Sequence, residues 1–230
     1  MTSFRGLLKY FTVAACVLCS VKTVSAASDS GFKNRTTVLL AGDSIMEQAT
    51  EPSVDGFISL LAGRYSRSAD MIVRALSGYN TRWYLKYAMP GIEEEITRGD
   101  YNPALITLWL GANDAVLINE ICCGTNRLQE GVVGPVQRPY ARACVEAAKE
   151  AGVSVLDLYS HFDAMTVTAR DKLLVDGVHF NAAGHLVVDE KLRATILKEF
   201  PEVNDLLDTY QFPIVSRWMK DDPYVPETTK

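Results

Sequence analysis

Four short apolar segments, most of them ended by glycine, constrain the fold of this chain most strongly. Continuous β-branched and aliphatic runs of this kind, bounded by turn residues, are typical of strands buried on both faces of a sheet. The sequence therefore predicts an inner β-sheet. Its strands are expected at Thr37–Ala41, Met71–Leu76, Leu105–Leu110 and Val153–Leu158.

Segments with helical spacing of their apolar residues separate the predicted strands. An amphipathic stretch that ends before Gly152 is the clearest of them, because glycine commonly follows the last turn of a helix. A break is predicted at Pro90-Gly91, since proline interrupts a helix interior. The predicted helices are Phe57–Tyr65, Trp83–Met89, Ile92–Ile96, Arg138–Ala151, Ala182–Phe200 and a short one near Val203–Tyr210.

Strands that alternate with helices form right-handed βαβ units, and such units build a parallel sheet. The fold class is therefore α/β, and the length of 230 residues suits one domain with a C-terminal tail from about residue 201. Functional sites of parallel sheets lie at the carboxyl ends of their strands. Ser44, Gly78 and Asn113 each follow a predicted strand, so we expect these three residues at one edge of the molecule.

The N-terminal residues have the pattern of a secretory signal peptide. Arg5 and Lys9 precede an apolar run over Tyr10–Val21, and the small-residue sequence Val24-Ser25-Ala26 follows. This pattern predicts cleavage after Ala26, secretion, and a single domain over residues 27–230. The apolar run is short for a bilayer, so no stable membrane span is expected. An uncleaved membrane anchor formed by this segment is the alternative.

The charge of the chain argues against nucleic acid as a partner. Removing residues 1–26 takes away three basic and no acidic residues, which changes the formal net charge from −5 to −8. An acidic chain without a basic stripe lacks the electrostatic attraction that phosphate backbones require.

The cysteines predict neither a disulfide scaffold nor a metal site. After cleavage Cys122, Cys123 and Cys144 remain, and an odd number of thiols allows at most one disulfide, whose pairing stays open. No second cluster supplies further ligands, so neither a metal nor another cofactor is expected.

Histidine is scarce, with His161, His179 and His185 the three present. His179 lies in Asp176-Gly177-Val178-His179, where a carboxylate three residues before the imidazole can reach one ring nitrogen and leave the other available. His161 and His185 have no such neighbour. A structural role is the commoner one for any single histidine, but the Asp-x-x-His spacing favours His179 as a general base.

Ser44 lies in Gly42-Asp43-Ser44-Ile45, where a predicted strand ends and a turn or helix begins. Backbone N–H groups at the start of a helix favour developing negative charge, which suits a nucleophile whose reaction generates an oxyanion. A helix-capping role for Asp43 or Ser44 is the alternative for this block taken alone.

Four blocks in order make the chain resemble the GDSL/SGNH hydrolase family. They are Gly42-Asp43-Ser44, Ser77-Gly78-Tyr79-Asn80-Thr81, Gly111-Ala112-Asn113-Asp114 and Asp176-Gly177-Val178-His179. The amino-acid sequences of the second and third blocks are similar to those of the isoamyl acetate-hydrolysing esterase branch. The resemblance runs from about Thr37 to Phe200 and implies a flavodoxin-like three-layer α/β/α sandwich.

The resemblance also implies roles for individual residues. Ser44 is the expected nucleophile, His179 the base and Asp176 the group that orients the imidazole. The backbone N–H groups of Ser44 and Gly78, with the side-chain amide of Asn113, are the expected oxyanion hole. Turn chemistry is the structural alternative for Gly78 and Asn113. The implied substrate is a small ester of short-chain, acetyl type, and no cofactor is implied.

The chain departs from the family in one segment. Members of this branch carry a helix, a further parallel strand and a loop between the Asn113 block and the penultimate helix, whereas only residues 115–137 lie between Asp114 and Arg138 here. One strand and one helix therefore look to be missing, as in a skipped exon, a faulty gene model or a natural compact variant. The strand predicted at Val153–Leu158 is then free to move beside the strand at Leu105–Leu110.

Four functions remain open at this point. A secreted esterase acting on short-chain esters is the leading interpretation, and a carbohydrate acetylesterase or a lysophospholipase are alternatives within the family. From another class, an impaired or inactive member acting as a binding protein is favoured by the short segment and disfavoured by the intact Ser44, Asp176 and His179.

Overall fold

The computed structural model describes residues 15–19, 35–101, 103–114 and 137–211. Within these ranges the chain forms one sheet covered by helices. The strands are β1 (Ala15–Cys19), β2 (Thr36–Gly42), β3 (Ala69–Ala75), β4 (Pro103–Leu110) and β5 (Ser154–Leu156). The α-helices are α1 (Ser44–Gln48), α2 (Phe57–Arg64), α3 (Thr81–Trp83), α4 (Met89–Arg98), α5 (Gln137–Ala151), α6 (Leu158–Asp163), α7 (Val167–Asp171), α8 (Ala182–Glu199) and α9 (Pro201–Asp208). A 3₁₀ turn spans Pro52–Val54 and a π-helical turn spans Tyr84–Ala88.

The strands lie in the order β3-β2-β4-β1-β5. β2 is central to the parallel part and pairs in parallel with β3 on one side and β4 on the other. The parallel α/β sandwich predicted from the sequence is confirmed for these strands.

The inner strands β2 and β4 are buried on both faces, which explains why they read as continuous apolar runs, whereas the edge strand β3 is mostly half-buried. Alternate residues of β2 pack on opposite sides: Val38 and Leu40 belong to one hydrophobic cluster, and Leu39 and Ala41 belong to the other. The first cluster is completed mainly by α1, α2, α6, α8 and α9. The second is completed by α4, α5 and the π-helical turn. Three layers result, with the sheet in the middle.

The position beside β4 differs from the expectation. The strand of the Val153–Leu158 segment does not lie next to β4, because β1 lies between them and pairs antiparallel with both β4 and β5. β1 belongs to the segment interpreted as a signal peptide, an interpretation that stays a prediction. Its place is the gap that a missing inner strand would leave, where β4 and β5 would otherwise each expose unpaired backbone groups.

Two boundaries differ for local chemical reasons. The predicted break at Pro90-Gly91 is wrong: α4 runs through it and continues directly from the π-helical turn Tyr84–Ala88. Pro90 is the second residue of α4, and the chain before it is helical in the wider π form. β5 ends at Leu156 rather than Leu158, because the Asp157 side chain accepts hydrogen bonds from the Ser160 N–H at 2.9 Å and the Ser160 hydroxyl at 2.6 Å. These bonds start α6.

Part of the expected organisation falls outside the described residues. Cys122, Cys123, nearly all of the short segment before Arg138 and the tail beyond Gln211 belong to this part. Cys144 is described and lies buried in α5. No helix in the described ranges is both long and apolar enough to cross a bilayer.

Candidate active site

Ser44 lies at the carboxyl end of β2 as the first residue of α1. Asp43, the preceding residue, caps this helix, since its Oδ1 accepts a hydrogen bond from the Ile45 N–H at 3.1 Å. The capping alternative considered for this block therefore applies to Asp43 and leaves the Ser44 hydroxyl available. As a first-turn residue, Ser44 also has a backbone N–H with no partner inside the helix.

Gly42 fixes the angle at which the chain leaves β2. A Cβ built on Gly42 would lie 2.4 Å from Met46 Cγ and 2.7 Å from the Trp109 carbonyl oxygen. The Asp43 N–H donates to that same carbonyl at 3.2 Å, which ties the end of β2 to the end of β4. A glycine is therefore required where helix α1 turns back over the sheet.

A turn between α7 and α8 carries both Asp176 and His179. Its two sides are held together by bonds from the Val175 N–H to the His179 carbonyl at 2.8 Å and from the Asn181 N–H to the Leu173 carbonyl at 3.0 Å. Gly177, with a φ of 87°, lies between the two functional residues and supplies the left-handed conformation that the turn needs.

The structure brings Ser44, His179 and Asp176 into one hydrogen-bonded chain. Ser44 Oγ lies 3.0 Å from His179 Nε2, and His179 Nδ1 lies 2.6 Å from Asp176 Oδ2. With a carboxylate accepting from the protonated Nδ1, the neutral imidazole presents the lone pair of Nε2 to the serine hydroxyl. This is the geometry of a nucleophile, a base and an orienting acid.

Asp176 is held as a carboxylate. Partial burial is the largest single influence and opposes ionisation. The His179 backbone N–H, the His179 imidazole and the Val178 N–H together outweigh it and lower the pKa of Asp176 to about 2. The two backbone bonds to Oδ1 measure 2.8 and 2.9 Å. Asp176 therefore remains a hydrogen-bond acceptor for the imidazole at any pH well above 2.

The other two histidines lie away from this chain of bonds. His185 is 1% exposed in α8 and contacts the rings of Phe57 and Phe180. His161 lies in α6 with its ring against Phe162. Burial lowers the pKa of both side chains and is the first cause in each case. Both are placed in the packing of the first cluster rather than at Ser44.

Gly78 and Asn113 lie on the loops that follow β3 and β4. Gly78 has a φ of 78°, and the space around the position of its missing Cβ is open. Asn113 donates one side-chain amide hydrogen to the Tyr79 carbonyl at 3.0 Å, which orients the group and leaves its second hydrogen for another acceptor. Both residues lie at the strand edge where the sequence predicted them.

Two carboxylates that received no role from the sequence fasten these loops. Asp114 accepts from the Thr81 N–H at 2.9 Å and from the Thr81 hydroxyl at 2.6 Å. Glu47 of α1 accepts from the Ser77 N–H at 2.6 Å. The loops after β2, β3 and β4 are thus joined by side chains. No sequence feature pointed to these bonds, because each joins residues at least 30 positions apart in the chain.

Gly184 controls the contact between α8 and the turn that carries His179. A Cβ on Gly184 would lie 2.2 Å from the Leu173 carbonyl oxygen and 2.8 Å from Phe180 Cδ1. We expect Gly184→Ala to lower the free energy of unfolding by about 1–3 kcal/mol, as overpacking usually does, and to displace the turn that carries His179. Urea unfolding measures the first effect.

Gly63→Ala is the matched control, because Gly63 is also helical but its Cβ position is open. Alanine there is expected to stabilise the chain by roughly 0.5–1 kcal/mol through helix propensity. Equal free energies of unfolding for the two variants would show that α8 can move away from the turn without loss of stability.

The described residues hold no group of three or more histidine, cysteine, aspartate or glutamate side chains arranged to bind a metal ion. The hydrogen-bonded chain from Ser44 to Asp176 is instead suited to acyl transfer, in which a hydroxyl is deprotonated as it attacks a carbonyl carbon.

Comparison with known proteins gives related esterases. A GDSL esterase/lipase of Arabidopsis thaliana is 29% identical over 241 residues, covering 82% of this chain and 96% of the relative. A mouse isoamyl acetate-hydrolyzing esterase 1 homolog is 30% identical over 201 residues, covering 64% of this chain and 76% of the relative. The isoamyl acetate-hydrolyzing esterase of Saccharomyces cerevisiae is 27% identical, and the alignment covers 71% of this chain and 87% of the yeast protein. No family model matches the chain.

The alignment with the Arabidopsis protein is longer than the part of this chain that it covers. Part of that relative therefore has no counterpart here, which agrees with a chain shortened relative to its family.

A solved structure supports the fold. The lipase/acylhydrolase from Enterococcus faecalis superposes with a TM-score of 0.52 at 17% identity, covering 71% of this chain and 96% of that one. The sequence relatives, the four ordered blocks and the shared α/β architecture agree. The chain belongs to the GDSL/SGNH hydrolase family and is a carboxylic ester hydrolase.

Proposed function

We propose that this protein is a serine esterase that hydrolyses short-chain, acetyl-type carboxylic esters through an acyl-enzyme. One observation carries the proposal: Ser44 Oγ, the His179 ring and the Asp176 carboxylate form an unbroken chain of hydrogen bonds of 3.0 and 2.6 Å. A serine hydroxyl is a weak nucleophile by itself and needs such a base.

In acylation, Ser44 Oγ attacks the ester carbonyl carbon while its proton moves to His179 Nε2. The carbonyl oxygen becomes an oxyanion, and the imidazolium is stabilised by Asp176. The tetrahedral intermediate then breaks its bond to the alcohol oxygen, which takes the proton from Nε2. The alcohol leaves, and the acyl group stays on Ser44 as an ester.

Deacylation repeats these steps with water as the nucleophile. His179 takes a proton from the water as its oxygen attacks the acyl carbon. When the second tetrahedral intermediate breaks its bond to Ser44 Oγ, the proton returns from Nε2 to Oγ. The acid product leaves and the free serine is restored.

The oxyanion is bound by the backbone N–H groups of Ser44 and Gly78 and by the Asn113 side-chain amide. The free N–H of a first-turn residue, the open space at Gly78 and the oriented Asn113 amide support this assignment. Loss of one such donor typically removes about 2.7–4 kcal/mol of transition-state stabilisation.

The preference for acetyl-type esters rests on the relatives named for the hydrolysis of isoamyl acetate. A carbohydrate acetylesterase or a lysophospholipase would use the same three residues. Comparing hydrolysis of an alkyl acetate, an acetylated sugar and a lysophospholipid by the purified protein separates the three.

Labelling with a fluorophosphonate probe tests the mechanism. We expect the folded protein to be modified at Ser44 alone, because among the described residues Ser44 is the serine that has an imidazole nitrogen at 3.0 Å. Mass spectrometry of proteolytic fragments locates the modified residue. Protein unfolded in urea is the control and should not react.

Two other outcomes would count against the proposal. Modification of a different serine would remove Ser44 from the mechanism. A folded protein that does not react would refute the proposed mechanism and favour the alternative of an inactive member of the family.

A further inference from the structure

Three aromatic side chains next to the candidate active site form a row. They are Tyr79, Trp83 and Tyr87, here called the aromatic ladder. The ring centroids of Tyr79 and Trp83 lie 5.7 Å apart, and those of Trp83 and Tyr87 lie 6.2 Å apart. Trp83 is 54% and Tyr87 57% exposed. Contiguous exposed apolar side chains often mark binding sites, whereas single ones need no explanation.

The segment that carries the aromatic ladder is firmly anchored. Tyr84, the neighbour of Trp83, is fully buried and its hydroxyl donates to the Arg74 carbonyl. The Asn80 side chain accepts from the Trp83 N–H at 2.9 Å. The π-helical turn Tyr84–Ala88 lies in the same segment, and such turns occur frequently at functional sites. The exposure of Trp83 and Tyr87 is therefore a property of a well-packed element.

The aromatic ladder begins at the proposed oxyanion hole. Tyr79 directly follows Gly78, and its carbonyl is the acceptor that orients Asn113. The other two rings, those of Trp83 and Tyr87, belong to α3 and the π-helical turn. A substrate chain that extends from a bound ester carbonyl in their direction meets aromatic rings along its length.

The geometry of the rings selects the kind of group that binds. Adjacent rings are nearly perpendicular, at 86° and 87°. Successive sugar rings stack on aromatic faces that lie close to one plane, which this arrangement does not offer. A hydrocarbon chain needs no such alignment, because the hydrophobic effect is non-directional. Lys86 Nζ lies 4.9 Å from the centre of the Tyr87 ring and occupies one side of it.

We propose that the aromatic ladder binds the hydrocarbon chain of the ester substrate, on either the acyl or the alcohol side. This inference rests on the proposed esterase function and names the substrate class of the same site. Trp83, the central ring, makes the largest contribution to the selectivity for longer chains.

The test compares three esters that differ in the position of a six-carbon chain. Ethyl acetate carries none, hexyl acetate carries it on the alcohol and ethyl hexanoate carries it on the acyl group. Their hydrolysis is followed by titration of the released acid. For Trp83→Ala we expect kcat/KM to fall about tenfold for one of the two longer esters, mainly through KM, from the lost apolar contact. The kcat/KM of this variant for ethyl acetate should change by less than about twofold.

Two further variants serve as controls. Trp83→Phe keeps an aromatic ring and should retain most of the selectivity. Tyr210→Ala removes an aromatic side chain of similar exposure, 54%, near the opposite end of β2, where the adjacent Gln211 side chain bonds Thr36. This substitution should leave kcat/KM unchanged for all three esters. Thermal melting establishes that each variant is folded.

Several results would overturn the inference. An equal fall in kcat/KM for all three esters would show that Trp83 supports the fold of the site and does not bind the hydrocarbon chain. An unchanged preference would remove the aromatic ladder from substrate binding, and a raised KM for an acetylated sugar alone would assign it to carbohydrate. Each of these results leaves loss of activity in Ser44→Ala intact, whereas hydrolysis that survives Ser44→Ala would refute the proposed function itself.

Discussion

Replacing Ser44 with alanine is expected to lower kcat for ester hydrolysis by on the order of a millionfold, the loss that follows removal of the nucleophile from such a triad. The hydroxyl oxygen 3.0 Å from His179 Nε2 is the atom that would bond to the acyl carbon. The fold should be unaffected, because Asp43 rather than Ser44 caps α1 and alanine is a good helix former.

His179→Ala should be as damaging as Ser44→Ala, and the double variant should be no worse than either. Nucleophile and base act as a unit, so removing one leaves the other without a function. His161→Ala is the matched control, because that imidazole lies in α6 against Phe162 and should leave kcat close to the parent value.

Steady-state rates measured with an alkyl acetate, together with circular dichroism of each variant, check this prediction. If folded Ser44→Ala kept more than about a hundredth of the parent kcat, the loss would be too small for a covalent nucleophile. Losses that add in the double variant would likewise show that the two residues act separately.

The parts of the fold that follow from local patterns were predictable from the sequence. β2 and β4 are buried on both faces and β3 is half-buried along most of its length, so their apolar runs stand out, and each run ends close to a glycine. Because parallel strands end at the same edge, the positions of Ser44, Gly78 and Asn113 after such runs were enough to predict that they share that edge. The Asp-x-x-His spacing similarly placed a carboxylate within reach of His179.

Features that depend on distant partners were not predictable. Asp114 and Thr81 are far apart in the chain, and neither residue type implies a bond to the other. The location of β1 between β4 and β5 depends on an opening in the sheet that no local pattern describes. Pro90 was misinterpreted because a π-helical turn directly precedes α4, and no local pattern reveals such a turn.

The burial of Asp43 is a further feature that its sequence pattern did not reveal. The residue has no exposed surface, and its Oδ2 has no hydrogen-bond partner among the described residues. Burial raises the pKa of Asp43 from its ordinary value of 3.8 to about 7, opposed by the backbone N–H groups of Ile45, Asp43 and Ala112 and reinforced by the negative charge of Asp114. At mildly acidic pH the side chain is therefore a neutral acid that still caps α1.

Asp43→Asn is accordingly expected to change how stability depends on pH. Between pH 3.8 and about 7 the folded chain holds a proton on Asp43 that the unfolded chain has lost. The stabilisation that this proton provides is complete below the pKa of the unfolded chain and is lost as pH rises through the pKa of the folded chain. The free energy of unfolding then falls by roughly 4 kcal/mol in total. Asparagine caps a helix as well as aspartate does and carries no titrating proton, so the variant lacks this loss and is the more stable protein at pH 8.5.

Urea unfolding at pH 4 and pH 8.5 measures the effect as the difference between parent and variant, in which all other titrating groups cancel. Asp205→Asn, an exposed change on α9, should reproduce the parent profile. If Asp43→Asn instead lost stability at pH 8.5, Asp43 would be a carboxylate in the folded protein, and its burial directly beside Ser44 would have to be balanced by hydrogen bonds to the charged form.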